Sequence, residues 1–129
     1  MYDVAIIGGG PAGVSAGVYA SRKRLKTIFI TKDWNSQSTV SEGIENWIGT
    51  IKIPGPEFAK SLENHLRAYA GDIVSIHEGE ICEKIEKTKE GFVVTTNTSS
   101  YTAKTVLITT GSHRRKLSIP GADTFEHKG

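Results

Sequence analysis

A short apolar run that ends in three glycines and leads straight into a helix constrains this chain more than any other feature. Tyr2–Ile7 reads Y-D-V-A-I-I, and Gly8-Gly9-Gly10-Pro11-Ala12-Gly13 follows. The length of the run, its β-branched residues and the glycines behind it predict a buried parallel strand. Pro11 opens a helix at the position where a missing N–H costs nothing, and that helix is expected to reach about Arg22. Val14, Ala16, Val18 and Ala20 supply its small and apolar faces. Lys26–Thr31 (K-T-I-F-I-T) is the second strand and closes a βαβ unit of roughly the ~30 residues such units take. In that setting each glycine has its own role. Gly8 permits the tight turn, Gly10 lets a pyrophosphate approach the backbone, and Gly13 lets the helix pack against the strands. The phosphates would meet free N–H groups and the positive end of the helix dipole. A glycine-rich turn with no ligand is the plainer alternative, and the flanking strand and helix count against it.

An acidic residue about 20 residues on would hold the ribose hydroxyls of a dinucleotide. Asp33 lies at that distance from Gly13 but stands two places beyond Thr31, where the strand should end. The ribose contact therefore falls to Asp33, to the hydroxyl of Thr31 or to the backbone near Lys32. This rule does not separate FAD from NAD.

Beyond the βαβ unit, residues 32–54 are polar and Ser/Thr/Asn-rich without a sustained period. A connection longer than about 12–15 residues points to a functional loop. Pro56–Ala70 carries Phe58, Leu62, Leu66 and Tyr69 on one helical face, and Gly71 ends it. Asp72–His77 reads as a third core strand. Glu80–Thr88, Gly91–Thr96 and Tyr101–Thr110, with turns at Lys89-Glu90-Gly91 and Asn97–Ser100, predict an antiparallel meander. Thr105–Thr110 is apolar enough to re-enter the parallel sheet, and it ends in Gly111 as the first strand ends in Gly8.

The chain has 129 residues, which is enough for one domain. Its 16 basic and 14 acidic residues nearly balance, which gives no support for a nucleic-acid surface. The cluster Arg22-Lys23-Arg24 with Lys26 falls where the first helix ends, and cations there complement the helix dipole. Cys82 is the one cysteine, so the chain holds no Cys-x-x-Cys, and a lone strand cysteine reads as a small packed hydrophobe. His65, His77, His113 and His127 lack metal-ligand spacing and are expected at the surface or in turns. No metal ligand and no catalytic acid, base or nucleophile stands out. No apolar run approaches the ~20 residues of a membrane span, and no cleavable leader is visible, so the expectation is a soluble, cytoplasmic protein.

Three segments occur in order: Gly8–Gly13, then Ile44-Glu45-Asn46-Trp47-Ile48-Gly49, then Ile108-Thr109-Thr110-Gly111. Together they resemble the first part of a low-molecular-weight thioredoxin reductase. Glu45-Asn46-Trp47 is similar to that family's E-N-[WYF]-P-G segment near the flavin, and Ile108–Gly111 to its A-T-G motif. Pro54–Phe58 resembles its G-P-E-L helix start, and Ser118–Gly121 its L-x-x-P-G linker. There are departures: Asn35-Ser36-Gln37 stands for Gly-Gly-Gln, Ile48 for a proline and Thr109 for an alanine.

The resemblance implies an α/β fold, a Rossmann-like FAD-binding domain with a central parallel sheet plus a three-stranded antiparallel meander, incomplete relative to the family. Residues 1–112 would form that domain, and residues 113–129 a linker towards an absent NADPH-binding domain that carries the redox Cys-x-x-Cys. The implied cofactor-binding set is Gly8, Gly10, Pro11, Ala12, Gly13, Thr31, Asp33, Gln37, Asn46, Ile81, Thr110 and Gly111. The implied chemistry carries electrons from NADPH through FAD and a disulfide to a thioredoxin-like protein, with little turnover by this chain alone. Trp47 is then the better flavin neighbour of the two tryptophans, while Arg114-Arg115-Lys116 reads as a solvated basic turn. Without the family's C-terminal return, part of one sheet face is expected to be uncovered, which would favour a homo-oligomer. Alternatives are an NAD-binding dehydrogenase module, a non-catalytic flavin-binding or interaction module, and the FAD segment of a ferredoxin–NADP reductase of this fold.

Overall fold

The computed structural model describes residues 1–112 and 119–121. Its elements are β1 (Tyr2–Ile7), α1 (Pro11–Arg22), β2 (Thr27–Thr31), α2 (Gly55–Ala70), β3 (Val74–Glu78), β4 (Cys82–Lys87), β5 (Phe92–Thr96) and β6 (Ser100–Ile108). All six strands form one sheet in the order β3-β2-β1-β6-β5-β4. β1 lies parallel to both β2 and β6, and β2 is parallel to β3, whereas β4, β5 and β6 pair antiparallel. The parallel sheet and the meander are therefore continuous through β6.

Both faces of β1 and β2 are apolar, so alternate residues feed two cores. Ile6 and Phe29 face α1 and α2 and pack with Val14, Val18, Leu66 and Val74. Ala5, Ile7, Ile28 and Ile30 face the other way and are covered by Val94, Ala103, Tyr101 and Ile85 of the meander. The meander thus curls over the face that carries no helix. β6 makes this possible because its first half pairs with β5 and its second half with β1, and Ala103 is partnered on both sides by Tyr2 and Phe92.

Several expected boundaries shift for identifiable reasons. β6 stops at Ile108, two residues before its predicted end, because its partner β1 ends at Ile7 and leaves the extended conformation at Gly8, where φ is +116°. The predicted apolar face of α2 ends on Ala70, while Tyr69 is exposed. The crossing with α1 selects the strict four-residue row Phe58, Leu62, Leu66 and Ala70. The helices approach closely at Gly17, where an added Cβ would lie 2.7 Å from Leu66 Cδ1. Gly71 ends α2 with φ +49°. β3 is an edge strand rather than a core one, with Ser75 and Glu78 exposed. The loop after β2 contains a short 3-10 helix, Gln37–Val40, and a bridge between Ile44 and Ile53.

The meander covers the back of β1 and β2. Exposed apolar side chains lie elsewhere: Val40, Ile48 and Ile51 on the long loop, and Leu107 and Ile108 at the end of β6. Among the described residues, Thr105–Ile108 pair with β1 alone.

Candidate nucleotide-binding groove

A groove of about 620 Å³ runs over the carboxyl ends of the parallel strands. The glycine loop after β1 forms its middle. The ends of β2 and β3 lie on one side, and the residues after β6 on the other, as the strand order dictates. Open α/β sheets bind ligands in such crevices.

The three family glycines differ in what surrounds them. Gly8 has φ +116°, and an added Cβ would lie 2.4 Å from the carbonyl oxygen of Thr109. At Gly13 an added Cβ would lie 1.9 Å from the carbonyl oxygen of Gly8 and 2.7 Å from Thr109 Oγ1. Gly10 is open by comparison, its nearest neighbour being Ser36 Cβ at 3.5 Å. Gly9 is constrained as well, because a Cβ there would meet Thr31 Oγ1 at 2.4 Å. Thr109 braces the loop. Its hydroxyl lies 2.8 Å from the carbonyl oxygen of Ile7, to which it donates, and 3.2 Å from that of Gly8.

Gly10 caps α1 without a side-chain hydrogen bond, Pro11 follows, and the first turn holds no acidic residue. No side chain of the helix's own first turn therefore neutralises its positive end.

Gly8, Gly10, Pro11, Ala12, Thr31, Asp33, Gln37, Ile81, Thr110 and Gly111 all line this groove. Gly13 lies beneath it as packing, and Asn46 is exposed on the long loop and does not line it. Trp47 packs edge-on against Phe58 at 4.9 Å, and Trp34 stacks on Phe29 at 5.7 Å with Arg67 over its ring.

Thr31 and Asp33 have different surroundings. Thr31 is buried, and its hydroxyl donates to the carbonyl oxygen of Asp33 at 2.5 Å. Asp33 is half-buried and accepts from the Asn35 N–H through Oδ1 at 2.8 Å. That bond orients the carboxylate and leaves Oδ2 without a protein donor among the described residues.

Sequence reasoning did not single out Glu80, which also lines the groove. Its carboxylate accepts from the hydroxyls of Thr96 at 2.7 Å and Tyr101 at 2.8 Å, and His77 Nδ1 lies 2.9 Å away. Burial alone would raise its pKa, but the bonds from Thr96, His77 and Tyr101 outweigh burial and hold it at about 2. His77 is consequently a half-buried strand residue in a polar cluster, which corrects its expected place at the surface or in a turn. The partners come from β3, β5 and β6, and no local pattern brings them together. His65 is exposed beside Tyr69 on α2, while His113, His127 and Arg114–Lys116 lie outside the described residues. Cys82 is half-buried at the groove wall, and burial pushes its thiol pKa up. Among the described residues, no group of three or more His, Cys, Asp or Glu side chains is placed to hold a metal ion, and no helix is long and apolar enough to cross a membrane.

The family model for pyridine nucleotide-disulphide oxidoreductases matches residues 2–129. This chain belongs to that family. It is 40% identical over 129 residues to one component of the alkyl hydroperoxide reductase of Staphylococcus epidermidis, covering 99% of this chain and 25% of that protein. It is 34% identical to an NADH dehydrogenase of Bacillus subtilis, again over 99% of this chain and 25% of the relative. Among solved structures, thioredoxin reductase of Lactococcus lactis superposes with a TM-score of 0.87 at 31% identity, covering 100% of this chain and 42% of that one. The thioredoxin reductase of T. acidophilum gives 0.84 at 36% identity, covering 99% and 41%. The chain thus spans about a quarter of its curated relatives and two-fifths of the solved structures. Its fold is the Rossmann-like FAD-binding fold of the thioredoxin reductases, and its family is one of flavoprotein oxidoreductases.

Proposed function

We propose that this chain binds FAD, with the ADP half in the groove, and serves as the flavin-binding part of a NAD(P)H-dependent thiol-disulphide oxidoreductase. The uncapped N-terminus of α1 facing the groove carries the reading, because it offers free N–H groups and a positive dipole end to a pyrophosphate. Gly10 supplies the open approach, and Asp33 Oδ2 is free to accept from a ribose hydroxyl. When bound, FAD supplies the redox chemistry, and this chain's residues bind and orient it. Thr110 and Gly111, on the β6 side, would then lie towards the flavin half.

Relatives named for different activities share this segment at 34–40% identity. That favours a role for it in holding the common cofactor over a role in choosing the electron acceptor. NADPH binding, the disulfide and a thioredoxin-like substrate belong in this reading to other sequence of the complete enzyme, with residues 113–129 as the link and the cytoplasm as the compartment. The same division admits a ferredoxin–NADP reductase or a non-catalytic flavin module as the parent.

Titrating the purified chain with FAD should shift the flavin absorbance and quench tryptophan fluorescence. Trp34 is the expected reporter, since its neighbours Asp33 and Asn35 both line the groove. Tight NADH binding without FAD binding would instead favour a nicotinamide-binding module. With NADPH and an artificial electron acceptor, the chain alone should show little turnover.

The exposed Leu107 and Ile108, on a segment paired only with β1, also support weak self-association. Sedimentation at micromolar concentration should show a concentration-dependent mass, and a clean monomer would count against it.

A further inference from the structure

We propose that Glu80 is a positioning residue for the base of the bound nucleotide, its carboxylate fixing the strap Gly79–Cys82 as one wall of the groove. The inference rests on the nucleotide-binding reading above. If the pyrophosphate sits at α1 and the ribose at Asp33, the base continues past the end of β2, towards β3 and the start of β4. Glu80, Ile81 and Cys82 form the groove wall there.

Two sets of bonds hold that wall. The Gly79 N–H donates to the carbonyl oxygens of Thr31 at 2.9 Å and Lys32 at 3.1 Å, tying the strap to the end of β2. The Glu80 side chain is then drawn inward by Thr96 of β5, Tyr101 of β6 and His77 of β3. His77 Nδ1 donates to Glu80 in the tautomer whose Nε2 accepts from the Ser75 hydroxyl at 2.9 Å.

Ile81 follows from this arrangement. Its N–H donates to Asn97 Oδ1 at 2.8 Å, and its carbonyl accepts from the Asn97 N–H at 3.1 Å. Both backbone groups are turned to the β5–β6 turn, while the side chain stays exposed and lines the groove. The wall therefore offers a flat ring an apolar side chain at this position, which suits the face of a purine. Glu80 itself is engaged by three donors, so it acts through Ile81 rather than by touching the ligand.

Glu80→Gln puts an amide N–H₂ where donors already converge, so at least one bond is lost and the strap relaxes. The chain and E80Q would each be titrated calorimetrically with ADP and with inorganic pyrophosphate. ADP should bind E80Q about tenfold more weakly, while pyrophosphate binding stays within about twofold, since only ADP carries the base. Unchanged ADP affinity overturns the proposal. Equal loss for both ligands overturns it too, because a merely structural role would damage the whole groove. If E80Q does not fold, Tyr101→Phe removes a single donor and should show the same selective loss at about threefold. Wild-type chain that binds neither ligand would instead remove the nucleotide-binding reading on which the proposal stands.

Discussion

Replacing Gly13 with alanine is expected to unfold the chain, whereas the same change at Gly10 should leave it folded and weaken FAD binding about 100-fold. The two positions belong to one motif, yet their surroundings oppose each other. A Cβ on Gly13 would lie 1.9 Å from the carbonyl oxygen of Gly8, and Thr109 Oγ1 blocks the nearest way round at 2.7 Å. The carbonyl belongs to backbone held between β1 and α1, and Thr109 is tied to Ile7. Relief requires parting the helix from the sheet. The cost should exceed about 4 kcal/mol, a large share of the ~5–15 kcal/mol that holds a domain together. At Gly10 the nearest atom is 3.5 Å away, so the methyl group fits and stability should change by no more than about 1 kcal/mol. That methyl would stand where a pyrophosphate needs to reach the backbone. Thermal unfolding paired with FAD titration separates the two. A folded G13A or a tightly binding G10A would show that the glycine loop does not work as described.

The glycine loop was legible in the sequence because strand, turn and helix are contiguous, and each position's demand is local. The same holds for Pro11 at the start of α1 and Gly71 at the end of α2. What escaped depends on pairings distant in the chain. The apolar end of S-Y-T-A-K-T-V-L-I shows that the strand re-enters the parallel sheet, but not that Ala103 is shared between Tyr2 and Phe92, and that sharing folds the meander over the back of the sheet. Tyr69 and Ala70 are both plausible fourth members of an apolar row. The crossing of α2 over Gly17 decides between them, and a single helix does not record it. The bond from the Thr31 hydroxyl to the Asp33 carbonyl, which sets the surroundings of two of the three ribose candidates, is likewise invisible in the sequence. Glu80 was missed for the same reason as Ala103, since His77, Thr96 and Tyr101 meet it only after three strands have come together.

That meeting makes Glu80 the expected source of a marked acid sensitivity. Its pKa in the folded chain is about 2, below the ordinary 4.5, although burial pulls the other way. The folded state thus binds the proton less readily than the unfolded chain. The stabilising contribution is fully present above about pH 5 and is lost as pH falls from 4.5 through 2. The three bonds to Glu80 are made to a side chain that is 13% exposed, so the contribution is large enough to be read in an unfolding experiment. Asp3 and Glu63 are also held below the usual carboxylate range, by Lys104 and by Lys60 with Arg67. They contribute the same slope to any variant that keeps them, so the comparison with Glu80→Gln isolates one group. Urea unfolding at pH 6, 4 and 3 should show the wild type losing more stability than E80Q, which has no proton to take up there. The two stabilities should converge as the pH falls, because a protonated Glu80 is as poor an acceptor as glutamine. Parallel pH profiles would mean that the carboxylate is solvated in solution and that β3, β5 and β6 are held together by their apolar contacts alone.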